Sequence, residues 1–164
     1  MIATRFETER LALKPLQVEY AEEMAGVLAA PELYTFTGGE PPTAEELTKR
    51  YERQVAGPGR PGEYWLNWVL RPLQDDALVG YVQATFTDDE TEIAWVVGTA
   101  WQGRGYAKEA AVGLVSWLEA HGVRRIVAHI HPDHAASAAV TGAAGLTRTA
   151  VIHDGEYRWQ RDLA

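Results

Sequence analysis

The sequence contains no cysteine, which excludes disulfide scaffolds, thiolate metal sites and cysteine nucleophiles together. No run approaches the ~20 apolar residues of a membrane helix, and the N-terminus from Met1 to Glu7 has no apolar segment of signal-peptide length. The expected setting is the cytoplasm, with no membrane partner. Repeats of solenoid length and low-complexity tracts are missing too. Basic residues are in deficit, 15 Lys and Arg against 23 Asp and Glu, for a formal charge of −8. That balance argues against nucleic acid, whose phosphates require basic side chains, and it permits a cationic partner such as an amine.

What is present is the composition of one ordinary domain. The 164 residues are 46% hydrophobic and 23% charged, with six tryptophans, which supplies one contiguous core and is too apolar for disorder. A single domain over 1–164 is expected. Two loops rich in glycine and proline, 37–42 and 57–62, bracket a helix over 43–56 in which Thr43 and Glu46 have capping-box spacing.

Periodicity predicts a first strand over 10–16 and a helix over 19–29. Runs at 64–70, 77–85 and 91–97 are rich in aromatic and β-branched residues and are separated by short turns, so they should form an antiparallel meander. Apolar residues from Ala107 to Leu118 recur at helical spacing, predicting a helix over 105–119 with Gly122 as its stop. A strand over 124–130 follows, then a short helix capped by Asp133 and ended by Gly145. The strands 146–152 and 156–163 should close as a hairpin turned at Asp154-Gly155. The fold class is therefore α/β with a mixed sheet, in the order strand, two helices, three strands, helix, strand, helix, two strands.

The chemistry-bearing segment is Gln102-Gly103-Arg104-Gly105-Tyr106-Ala107-Lys108. A strand ends before it and an amphipathic helix starts within it, so several backbone N–H groups point outward at the positive end of a helix dipole. The glycines let an anion approach those amides, and Arg104 or Lys108 adds charge. Other phosphate motifs fit worse: a dinucleotide fingerprint needs a third small residue where Lys108 stands, and no Gly-Lys-Ser/Thr exists for a P-loop.

Preceded by Ile93-Ala94-Trp95-Val96-Val97, this loop resembles motif A of the GNAT (general-control-type N-acetyltransferase) superfamily. Thr8-Glu9-Arg10-Leu11-Ala12-Leu13-Lys14-Pro15-Leu16 resembles the opening strand of RimJ/RimL-like members, and Pro132-Asp133-His134-Ala135-Ala136-Ser137 with Gly145-Leu146 is similar to their late motif. The resemblance implies an acyl-CoA N-acyltransferase fold with acetyl-CoA as co-substrate. It implies that the backbone at Trp95 and Val97 holds the pantetheine arm and that the amides from Gln102 through Gly103, Arg104, Gly105, Tyr106 and Ala107 to Lys108 hold the pyrophosphate. The family usually carries Asn where His134 stands, while Ser137 matches. A homodimer through the edge strand of the closing hairpin also fits.

Amide formation from a thioester requires a deprotonated amine, an oxyanion donor and a proton donor for the leaving thiolate. Glu92, ten residues before Gln102, is the first candidate for the base, acting through water; its alternative is a structural place on the strand. By resemblance Ser137 supplies the proton donor, against a helix residue bonded to its own backbone. The amide of Val97 is the expected oxyanion donor. By the same resemblance, Tyr34, Phe36, Glu40, Trp68, His129 and His153 lie on strands or loops that would border the acetyl group and are candidates to meet the acceptor, a small-molecule amine or a protein N-terminus. Two rival readings follow from other features. His129-Ile130-His131-Pro132-Asp133-His134 matches the spacing of a zinc hydrolase, and an intact loop would equally serve an acyl-CoA-binding sensor with no catalysis.

Overall fold

The computed structural model describes residues 1–163. Eight strands form one sheet: β1 (Phe6–Glu7), β2 (Leu11–Pro15), β3 (Tyr64–Pro72), β4 (Gly80–Phe86), β5 (Thr91–Val97), β6 (Arg125–Ile130), β7 (Thr147–His153) and β8 (Glu156–Asp162), in the order β1-β2-β3-β4-β5-β6-β8-β7. The helices are α1 (Ala21–Val27), α2 (Ala44–Ala56), α3 (Tyr106–Ala120) and α4 (Ala135–Ala143). Every neighbouring pair is antiparallel except β5 with β6. The mixed α/β architecture and its element order agree with the sequence pattern, with one addition. The two-residue β1, paired to β2 through Phe6 and Leu13, is too short to register as an alternation.

Alternation along the strands divides the core in two. Leu66, Trp68 and Leu70 of β3, Val82 of β4, Ile93 and Val97 of β5, and Ile126 and Ala128 of β6 pack with Ala110, Leu114 and Leu118 of α3. Val69 of β3, Tyr81 of β4 and Val96 of β5 face the other way, against Met24 of α1 and Leu47 and Tyr51 of α2. Gly80 permits β4 and β5 to meet closely, since a Cβ there would lie 2.2 Å from the Val96 carbonyl oxygen.

Local chemistry explains the boundaries. Thr43 and Glu46 form the expected capping box, with Glu46 N–H donating to Thr43 Oγ1 and Thr43 N–H to Glu46 Oε1, both at 3.1 Å. Asp154 at φ 49° and Gly155 at φ 79° make the predicted two-residue hairpin turn. The helix expected over 19–29 is instead a 3-10 turn, Val18–Tyr20, followed by α1. It ends at Val27, with Leu28 (φ −97°, ψ 14°) already out of the helical region and Pro31 holding Ala30 extended at ψ 125°. The cap of α4 is His134 and not Asp133: a tight turn from His131 to His134 (N–H to O, 3.0 Å) puts Asp133 one residue too early, and the His134 ring accepts the Ser137 N–H.

Candidate active site

The sheet opens between β5 and β6. Their parallel register covers Thr91↔Ile126 and Glu92↔Val127 alone, whereas β5 is paired to β4 along its whole length. Because Gly98 N–H bonds to the Val79 carbonyl at 2.8 Å, antiparallel alternation turns Val96 toward β4 and turns the N–H groups of Trp95 and Val97 into the opening. The Val97 carbonyl, on the same side, accepts the Gln102 side-chain amide at 3.0 Å. Gln102 thereby ties the end of β5 to the loop that follows, a structural duty beyond its backbone amide.

That loop turns through Gly103 (φ 79°) and Gly105 (φ 81°) into α3. Both glycines occupy the left-handed region, which a side chain would strain. A brace holds the turn from behind. Glu109 in the first turn of α3 accepts Thr8 Oγ1–H (2.5 Å), Arg10 N–H (2.7 Å) and Arg10 Nε–H (2.6 Å). Arg10 Nη1 donates in turn to the Arg104 carbonyl (2.8 Å), and its guanidinium lies 4.9 Å over the Tyr106 ring. Burial alone would raise the Glu109 carboxyl, but the hydrogen bonds from Thr8 and Arg10 outweigh it and hold the group below its ordinary value. Sequence reading missed this brace. Its signal was an arginine just before the first long strand and a glutamate in the first turn of the phosphate-loop helix.

The open edge of β5 and the loop share one cleft of about 580 Å³. Of the expected residues, Trp95, Val97, Gln102, Gly103, Gly105, Tyr106, Ala107, Lys108, His134 and Ser137 line it. Arg104 does not, because its guanidinium bends back toward the Ala100 carbonyl at 3.5 Å. Opposite the loop, His134 Nδ1 accepts Ser137 N–H (3.3 Å) and Nε2 lies 3.1 Å from Ser137 Oγ. An acceptor at Nδ1 requires the proton on Nε2, so the ring donates to the serine oxygen and leaves the serine O–H free to donate elsewhere. Burial, then the neighbouring His131, lowers His134 below the usual histidine value and favours this neutral form. Phe36 closes the end of the cleft, stacked on His134 with ring centroids 4.4 Å apart.

Glu92 stands outside the cleft, half-exposed on the α2-facing side of β5, with its carboxylate hydrogen-bonded to His129 Nδ1 across the base of the opening. The His153 ring lies 5.8 Å from that of His129. Among the acceptor candidates, Phe36 reaches the cleft, Tyr34 is tied by its hydroxyl to the Leu28 carbonyl at 2.9 Å, and Glu40 is exposed away from it. Trp68 is fully buried in the core and donates its Nε1–H to the Thr4 carbonyl at 2.8 Å. The histidine run does not converge: His129 turns to Glu92, His131 to Phe36, and His134 to Ser137. Among the described residues no three His, Asp or Glu side chains gather as metal ligands.

A family model described as an acetyltransferase (GNAT) domain matches residues 10–147. No curated protein matches the sequence. Solved structures do match in shape. An acetyltransferase from Agrobacterium tumefaciens shares 25% identity at a TM-score of 0.77, over 97% of this chain and 94% of that one. A GNAT-family acetyltransferase from Bacillus anthracis shares 19% at 0.79, over 97% and 98%. RimL, a ribosomal L7/L12 alpha-N-protein acetyltransferase solved with coenzyme A, shares 16% at 0.78, over 95% and 96%.

Proposed function

The chain belongs to the GNAT acetyltransferase family, and from that premise we propose that it moves the acetyl group of acetyl-CoA to a primary amine by direct attack within a ternary complex. The observation that carries this reading is the continuity of one cleft from the unpaired edge of β5 to the glycine turn at the N-terminus of α3. Its parts fit the co-substrate. Two N–H groups, of Trp95 and Val97, face the opening, and that of Val97, beside the glycine turn, can pair with a pantetheine arm as the start of an added strand. The amides around Gly103 and Gly105, with Lys108, meet a pyrophosphate at a helix N-terminus. When bound there, acetyl-CoA supplies an activated thioester carbonyl.

The chain's own groups then supply position and proton transfer. The Val97 N–H being taken by the arm, the Trp95 N–H, farther from the glycine turn and so nearer the thioester end, stabilises negative charge on the carbonyl oxygen. The Ser137 O–H, freed by the His134 donation into its oxygen, gives a hydrogen bond to the departing sulfur. Glu92 and His129 form a hydrogen-bonded pair at the base of the opening and accept the proton of the attacking ammonium through water. Acceptors enter from the α2-facing side, where Phe36 and the residues after α1 border the cleft. The acceptor class includes small amines and protein N-termini. We assign the protein to the cytoplasm, and the outer edge of β7, with exposed Val151 and Ile152, as a surface for a second copy.

Calorimetry with CoA and free-thiol release across a panel of amines and peptides test this together. Micromolar CoA binding with acceptor-dependent thiol release is the expected result. Tight binding with no turnover on any amine would instead favour an acyl-CoA sensor.

A further inference from the structure

We propose that the α2-facing side of the sheet carries an anion pocket around Arg50 that takes the carboxylate of a small amine acceptor, an inference that rests on the acetyltransferase reading above. Leu47, Arg50 and Gln54 fall at i, i+3 and i+7 of α2 and so share one helix face. Leu47 is buried, so this face meets the sheet, with half-buried Gln54 and exposed Arg50 at its rim. Directly beneath it Asn67 of β3 and Gln83 of β4 are cross-strand partners. Two adjoining cavities, of about 190 and 280 Å³, share Arg50, Gln54, Asn67 and Gln83; Tyr81 lines the first and Arg53 the second.

The chemistry of this lining runs against that of the whole chain. In a protein of formal charge −8, no Asp or Glu lines either cavity. Neither Arg50 nor Arg53 forms an ion pair among the described residues. Burial pushes the Tyr81 phenol up to about 12, so it remains an O–H donor at neutral pH. A guanidinium fork, carboxamide N–H groups and a phenol together suit a planar carboxylate.

Register places this pocket beside the chemistry. Tyr81 is the cross-strand partner of Val96, and Val96 lines the cofactor cleft. Glu92 lies on the same side of the sheet, opposite Thr85, which lines the second cavity. Neighbouring strands are roughly 5 Å apart, so an acceptor whose anion is held at Arg50 presents its amine over β5. Such a molecule is a compact carboxylate-bearing amine of amino-acid size.

The test compares α- and ω-amino acids with their own carboxamides, by calorimetry on the CoA-loaded protein and by thiol release. At least one acid should bind roughly tenfold or more tightly than its carboxamide, the scale of a charge-assisted contact. Arg50→Met should abolish that preference with CoA affinity unchanged, and Arg50→Lys should restore part of it. Equal binding of acid and amide, a preference that survives in Arg50→Met, no amino-acid binding at all, or turnover confined to peptides without acidic groups would overturn the proposal. Acids bound with the expected preference but never acetylated would overturn the transferase reading and leave the anion pocket standing.

Discussion

Single side chains in this protein are set by what they face, and three make testable cases. Thr91 Oγ1 is buried at the root of the β5–β6 opening with no hydrogen-bond partner among the described residues. Replacing an orphaned hydroxyl by a methyl of like shape removes a desolvation penalty, so Thr91→Val should raise stability by about 1 kcal/mol, read as a shift in denaturant midpoint at constant slope. Ser137→Ala should lower kcat by roughly a hundredfold or more with CoA affinity intact, since a positioned proton-transfer group contributes about 10²- to 10⁴-fold. His134 gives the pH dependence. Its lowered value means that the neutral, cap-forming ring is complete above the ordinary histidine value of about 6.5. As pH falls toward and through the lower folded value, protonation at Nδ1 removes the acceptor of the Ser137 N–H. Activity and the cap's contribution to stability should both decline on that acid side, and a pH–rate profile of His134→Asn should lack this limb.

At the scale of elements, the loop and α3 act as a unit because Arg10 and Glu109 clamp their backs. Arg10→Ala removes the donor to both Glu109 and the Arg104 carbonyl and should weaken CoA binding by roughly tenfold, the scale of one charged hydrogen bond. Gly105→Glu places a side chain in a left-handed position and a carboxylate at an anion site. It should weaken CoA by at least roughly a hundredfold in calorimetry while circular dichroism stays native. Elements were also where sequence was most informative. Thr43, Glu46, Asp154 and Gly155 act within a few residues of themselves, so the α2 start and the β7–β8 turn could be read directly. The cap of α4 was displaced by one residue because a turn set by His131 decided it, and β1 was invisible because two residues carry no period.

For the whole molecule, the opening between β5 and β6 is the organising feature, since it joins the α3 side, where the glycine turn lies, to the α2 side, where the Glu92–His129 pair and the cavities beside Arg50 lie. A ligand bridging the opening should stabilise the entire fold. At CoA a hundredfold above its Kd, stability should rise by about 2.7 kcal/mol, measured as a thermal shift that Gly105→Glu lacks. The amino-acid pattern by itself determined the α/β class, the strand and helix order and the glycine turn, because those follow from local periodicity, backbone freedom and the charge of a helix end. It also offered Glu92 as a base, whereas Ser137 and His134 were singled out by resemblance to the family's late motif. Only the tertiary structure decided their neighbours. Glu92 meets His129 across the opening, Arg10 meets Glu109 from the far end of the chain, and Arg50 lies over Asn67 and Gln83. Those pairings depend on register and on where the sheet parts, which are properties of packed strands and not of any one segment.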